Sequence, residues 1–249
     1  MFRTLLIIVS LTFTSLTALA DALLVGMSPD YPPLVFKSEG RIVGIEADNA
    51  KALGKILGRD MKLVEMPFAK LLPALQSGEI DVIMSGFSVT DERASQVLFT
   101  DAYMQMGQMA IMHKDKVARF AQPWSVYREG VRIGVEPGTT GAAFAERELV
   151  DAQISYFANP DQAFQGLRKD VIDLYIHDAP TSWQLANGME NDDLISLYTP
   201  LTEEMLAWAV RKDDTELLQK LDRARSQLEQ NGKLRAIQDY WIPVKVEVQ

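Results

Sequence analysis

The chain has 249 residues, 47% of them hydrophobic, with 25 Lys and Arg against 34 Asp and Glu, two His and no Cys. A formal charge of −9 argues against nucleic acid or anionic lipid as a partner, because both recruit basic surfaces. Without Cys there is no disulfide, thiol nucleophile or thiolate metal site, and two His cannot build a His-rich one.

The first twenty residues differ from the rest. Arg3, an apolar run over residues 5–11 and the small-x-small sequence Ala18-Leu19-Ala20 read as a secretory signal peptide cleaved before Asp21. The apolar stretch is interrupted by Ser10, Thr12, Thr14, Ser15 and Thr17 and is short for a membrane span. No Cys follows the cleavage point, so the expected mature protein is periplasmic without a lipid anchor and keeps 24 basic against 34 acidic residues.

Strand-like apolar runs at 22–26, 62–65 and 80–84 alternate with segments at 46–57 and 68–76 in which apolar residues recur every three or four positions, the mark of a helix. A second set follows, with strands at 131–135, 153–156 and 171–176 and helices at 139–149 and 161–167. The expected class is α/β: two similar lobes whose helical crossovers imply mainly parallel sheets. Two further runs, 107–112 and 205–210, suit paired connections between the lobes, or else an edge pair within one lobe. A helical tail, 215–231 and 233–240, then returns to the first lobe. The expected division is 1–20 signal peptide, 21–105 first lobe, 106–204 second lobe and 205–249 return to the first.

In open parallel sheets ligands bind beyond the carboxyl ends of the strands. Those ends are Met27-Ser28-Pro29-Asp30-Tyr31, Phe68 and Ser85-Gly86-Phe87-Ser88 in the first lobe. In the second they are Glu136-Pro137-Gly138-Thr139-Thr140-Gly141, Asn159 and His177-Asp178. Thr90 is a candidate N-cap with Asp91 and Glu92 in the first turn, where acids suit the helix dipole. Arg93 has no such reason to be there. It reads either as a surface side chain on a capped helix or, with backbone amides at Gly86 and Ser88, as half of an anion site. Gly138-Thr139-Thr140-Gly141 can cap a helix or face a ligand, and lacks the length and Lys of a phosphate loop. Asp178 can cap the following helix or accept an ammonium. Tyr31 and Phe68 suit either core or a ligand sandwich.

In order along the chain, these pieces resemble the periplasmic solute-binding proteins of the polar amino-acid class, family 3, the two-lobed "Venus flytrap" receptors of ABC importers. The resemblance is carried by Val25-Gly26 with Tyr31-Pro32-Pro33, Gly44-Ile45-Glu46-Ala47-Asp48, Leu72-Pro73-Ala74-Leu75 and the stretch from Ser85 to Arg93. It continues through Phe99-Thr100-Asp101-Ala102-Tyr103, Gly138-Thr139-Thr140, Ile172-Asp173 with Asp178, and Gly232 with Trp241. It implies a two-strand hinge and a ligand cleft between the lobes. Arg93 would hold a ligand α-carboxylate with help from Gly86, Ser88 and Thr140. Asp178 would hold the α-ammonium, and Tyr31 and Phe68 would embrace the ligand. The implied function is capture of a small amino acid or related carboxylate and delivery to an ABC permease, by a monomer that needs no cofactor or metal.

Four positions stand out as possible determinants of specificity. Ser28 replaces the acid that basic-amino-acid binders carry, which argues against a Lys- or Arg-specific pocket. Gly141 replaces a common Gln, while Glu136 and His177 are unusual and either line the cleft or face solvent. Asp170 stands where a Gly is usual and reads as a tolerated turn change. Two rivals share the resemblance. One is an exported enzyme of the cyclohexadienyl or arogenate dehydratase kind, with Glu136 and His177 as its acid/base pair. The other is a receptor that presents its ligand to a membrane sensor.

Overall fold

A computed structural model of the chain describes residues 22–187 and 189–242. The signal-peptide reading of residues 1–20 lies outside them. Within them the chain forms two α/β lobes, each built on a five-stranded sheet.

In the first lobe Leu23–Met27 is the central parallel strand, with Met61–Glu65 on one side and Val82–Ile83 on the other. Parallel pairing follows from the crossovers. The helix Ile45–Leu57 carries the chain from the first strand to the second, and Phe68–Ser77 from the second to the third. Both stop at glycines in the left-handed region, Gly58 and Gly78, which close the helix C-termini without steric cost. Leu71, Ala74 and Leu75 of the second crossover bury one face against the sheet. A three-stranded meander, Asp30–Tyr31, Val35–Ser38 and Arg41–Val43, is inserted after the first strand.

The second lobe repeats the plan. Arg132–Val135 lies parallel between Gln153–Tyr156 and Leu174–Asp178, with the crossover helices Thr140–Glu148 and Pro160–Arg168. Asp170 adopts φ 55°, a left-handed turn that Asp tolerates better than most residues, and its carboxylate pairs with Lys116 and Arg132.

Of the two runs expected to connect the lobes, or else to pair within one, 205–210 connects them only through residues 205 and 206, and 107–112 does not. Gln108–His113 is an antiparallel strand inside the second sheet, between Leu174–Asp178 and Leu194–Ser196. Ala209–Arg211 does the same in the first sheet, between Val82–Ile83 and Val97–Phe99. Their central apolar residues, 109–112 and 209–210, are buried, as in an interior strand covered on both faces. The connecting ladder lies just before each: Met104–Met106 pairs antiparallel with Glu204–Leu206, each with only its last residue buried. A run of apolar residues cannot reveal which partner it pairs with.

The tail forms the helices Thr215–Gln230 and Lys233–Trp241, which pack on Ile45–Leu57. Leu217, Leu221, Ala224 and Leu228 face that core. Asp214 caps the longer helix by accepting from Leu217 N at 3.0 Å, and Trp241 Nε1 donates to Asp48 Oδ2 at 2.9 Å.

Candidate ligand-binding cleft

The parallel strands of both lobes end facing one another, and a cavity lies between them. Arg93 is its central cation. Thr90 caps the short helix Asp91–Ala94 by accepting from Arg93 N at 3.2 Å. The side chain then turns inward, leaving Arg93 only 8% exposed, so it is not a surface residue on a capped turn. Its guanidinium lies 4.1 Å from the centroid of Phe87 and 5.7 Å from that of Phe68. Nη1 donates to Ser88 O at 2.8 Å, and Nη2 crosses to the other lobe to reach Gly138 O at 2.9 Å. Burial lowers its pKa, while the charges of Asp178 and Glu204 work the other way.

Gly86 contributes differently from the expected free amide. Its N–H donates to Glu46 Oε1 at 2.8 Å, so it is already satisfied and not aimed at a guest. What the glycine supplies is room: its φ is 62°, and a Cβ there would stand 2.6 Å from Cε1 of Tyr31. Glu46, wholly buried, also accepts from Tyr103 OH at 2.7 Å and Trp208 Nε1 at 2.9 Å. Burial raises its pKa against the pull of these three donors.

Asp178 closes the opposite wall at the end of its strand. It accepts hydrogen bonds from Tyr31 OH in the first lobe and from Gln108 Nε2 in its own. Burial pushes its pKa up to about 6, with the nearby Glu204 charge adding to the rise and His177 opposing it. Gln108 Nε2 also donates to Thr140 Oγ1 at 3.1 Å, and Thr140 Oγ1 donates to Glu204 Oε2 at 2.7 Å. Thr139 caps its helix by accepting from Ala142 N at 3.1 Å, so within Gly-Thr-Thr the first Thr serves the helix and the second the network. Gly141 does not line the cavity. A Cβ on it would meet Oε1 of Gln108 at 2.7 Å, so its bareness lets a Gln arrive there from another strand.

A second cluster occupies the remaining wall. Glu136 and His177 are each 8% exposed, with His177 Nε2 3.2 Å from Glu136 Oε1. The same oxygen accepts from Tyr175 OH. Burial pulls the His177 pKa down, but the hydrogen bond and charge of Glu136 outweigh it and the net shift is upward. The edge of Tyr31 meets the His177 ring with centroids 5.0 Å apart. Asp30 stands at the exposed rim, accepting from Ser28 Oγ at 3.0 Å. Partial burial of its carboxylate and the charge of Glu136 raise its pKa.

Of the residues singled out in the sequence, Ser28, Tyr31, Phe68, Gly86, Ser88 and Arg93 line this cavity from the first lobe, and Glu136, Thr140, His177 and Asp178 from the second. Sequence reasoning missed Asp30 and Gln108. Asp30 lies in the strand-end stretch already marked and, two residues from Ser28, had a visible signal. Gln108 sat at the start of the run taken for a connector. Among the described residues no three His, Asp or Glu side chains group closely enough to hold a metal ion.

Residues 23–244 match the family model of bacterial extracellular solute-binding proteins, family 3. The chain belongs to that family. It is 30% identical over 238 residues to the ABC transporter arginine-binding protein 1 of Escherichia coli, covering 93% of this chain and 95% of that one. Among solved structures it is similar to an ancestral arginine-binding protein bound to arginine, with TM-score 0.84, 30% identity and 90% and 99% of the two chains covered. It is also similar to an ancestral amino acid-binding protein that is a precursor of cyclohexadienyl dehydratase, with TM-score 0.82, 32% identity and 89% and 95% covered. Membership makes this an exported solute-binding protein, and its two lobes and inter-lobe cleft are the type II periplasmic binding fold.

Proposed function

We propose that the chain captures a free amino acid in the cleft by closing its lobes and delivers it, as a monomer, to an inner-membrane ABC permease. The observation that carries this reading is that one buried cation from the first lobe, Arg93, and one partly buried anion from the second, Asp178, meet at a single cavity. A zwitterion has the complementary pair of charges. Arg93 already donates through Nη1 and Nη2 to two carbonyls, and its remaining N–H groups suit a ligand carboxylate. Asp178 accepts the ligand ammonium, Phe68 and Tyr31 bound the apolar part, and Thr140 and Ser88 add polar contacts. Burying a zwitterion is costly unless both ends are paired, so a ligand that satisfies both lobes stabilises the closed state over the open one. The mature chain would begin at Asp21, free of a lipid anchor, with lobes over residues 21–105 and 205–249 and over 106–204.

A thermal-shift screen of amino acids, followed by calorimetric titration of the best, tests this, because a ligand of the folded state raises its melting temperature. Arg93→Ala should weaken binding about 100-fold or more, as expected when a charge-assisted bidentate pair is lost and a carboxylate is left buried. An unchanged affinity would remove Arg93 from the site.

A second reading has one observation in its favour. Glu136 and His177 form a buried acid/base pair, 3.2 Å apart, at the cavity wall, and such a pair suits proton transfer. Incubation with prephenate and arogenate separates the two: product formation abolished by Glu136→Gln would make this an enzyme on the binding-protein fold.

A further inference from the structure

We infer that the Asp30, Glu136 and His177 wall is a subsite for a cation at the end of the ligand side chain, so the preferred ligand is an amino acid carrying a guanidinium or terminal ammonium. This rests on the amino-acid reading above and adds the class of side chain to it.

A zwitterionic backbone matches Arg93 and Asp178 one for one and leaves every other charge at the cleft uncompensated. What remains at the cavity is Asp30 on the first lobe and Glu136 with His177 on the second. Even a fully protonated His177 leaves one negative charge there, and a neutral one leaves two. Asp30 and Glu136 belong to opposite lobes, so closure brings like charges together where water is being expelled and repulsion is strongest. The upward shift of the Asp30 pKa, which burial and the Glu136 charge cause, is the trace of that approach. A cation between the two carboxylates turns the repulsion into a bridge from lobe to lobe.

His177 is engaged with Glu136 and, even when charged, balances only one of the two carboxylates. Its Nε2 is committed to Glu136 at 3.2 Å, while its buried Nδ1 has no hydrogen-bond partner among the described residues. Ser28, whose hydroxyl replaces an acid and in sequence points away from a basic ligand, donates to Asp30 Oδ1 at 3.0 Å. The acid is therefore present, two residues further along the same stretch and oriented by the serine.

Calorimetric titration of the full mature chain with L-arginine, L-lysine and L-citrulline tests the inference, since citrulline keeps the length of arginine and replaces its cation with a neutral urea. Arginine should bind about 10- to 100-fold more tightly than citrulline, the usual span for a charged hydrogen-bonded contact. Asp30→Asn and Glu136→Gln should each shrink that ratio by weakening arginine while moving citrulline little. Thermal melts establish that each variant is folded, and Asp30→Asn at the rim carries the test if Glu136→Gln is not. Equal affinity for arginine and citrulline, or a ratio unmoved by both variants, overturns the inference and leaves amino-acid binding intact. Failure of every standard amino acid to bind would overturn the underlying reading as well.

Discussion

At the residue scale, Asp178 ties function to pH. Its carboxyl is held at about 6, well above the ordinary carboxylate range, first by burial. A carboxyl whose folded pKa is raised costs the fold stability when ionised, so its penalty is full above pH 6 and fades as pH falls towards 4. This group alone makes the closed, ligand-free form more stable at pH 5 than at pH 7. Binding runs the other way, because an ammonium requires the carboxylate. Affinity is expected to be flat above about pH 7 and to fall by up to about tenfold per unit below 6, with proton uptake reversed on binding. His177, whose pKa is raised, is charged throughout that lower window, and an Asp30→Asn background isolates the Asp178 contribution. Calorimetry at pH 5 in two buffers of different ionisation heat should register a proton released per ligand. No buffer dependence would remove Asp178 from contact with the ammonium. The sequence reached Thr90, Arg93 and Asp178, because caps and strand ends are local features. It misjudged the Gly86 amide, because its acceptor, Glu46, lies forty positions away in sequence.

At the scale of elements, Glu46 fastens three pieces together. It lies in the first turn of Ile45–Leu57 and receives hydrogen bonds from the Gly86 turn, from Tyr103 beside the connecting ladder and from Trp208 just past it. Glu46→Gln keeps the shape but places an NH2 group where donors converge, leaving buried N–H or O–H groups unpaired. The expected cost is roughly 2–4 kcal/mol of unfolding free energy, readable from urea midpoints, with weaker ligand binding as the Gly86–Ser88 turn loosens. A loss below about 1 kcal/mol would mean the carboxylate is not the fastening point. The helices of the crossovers and of the tail were legible from their apolar spacing, since a helix buries one face whatever its neighbour. Gln108–His113 and Ala209–Arg211 were not, since strand pairing is settled between distant segments.

For the whole molecule, among the described residues two hydrogen bonds span the lobes at the cleft, Arg93 to Gly138 O and Tyr31 to Asp178, beside the ring contact of Tyr31 with His177. They favour closure, while Asp30 and Glu136 oppose it. A cationic amino acid relieves the opposition and adds bridges of its own, so ligand should shift the population towards the compact form. Small-angle scattering is expected to give a smaller radius of gyration with saturating ligand than without. Tyr31→Phe, which removes one latch but not the ligand charges, should enlarge the ligand-free form more than the bound one. Identical scattering with and without ligand would reject closure as the response to binding.

The sequence by itself determined the α/β alternation, its repetition in two lobes and the strand ends where chemistry gathers, because periodic burial and turn residues act within a few positions of one another. Only the tertiary structure decided which ends meet. Asp30 and Glu136 are more than a hundred residues apart, and whether they attract a ligand together depends on sheet order and on how the lobes close. Electrostatic interaction falls with distance through space and with access of water, and neither is written along the chain.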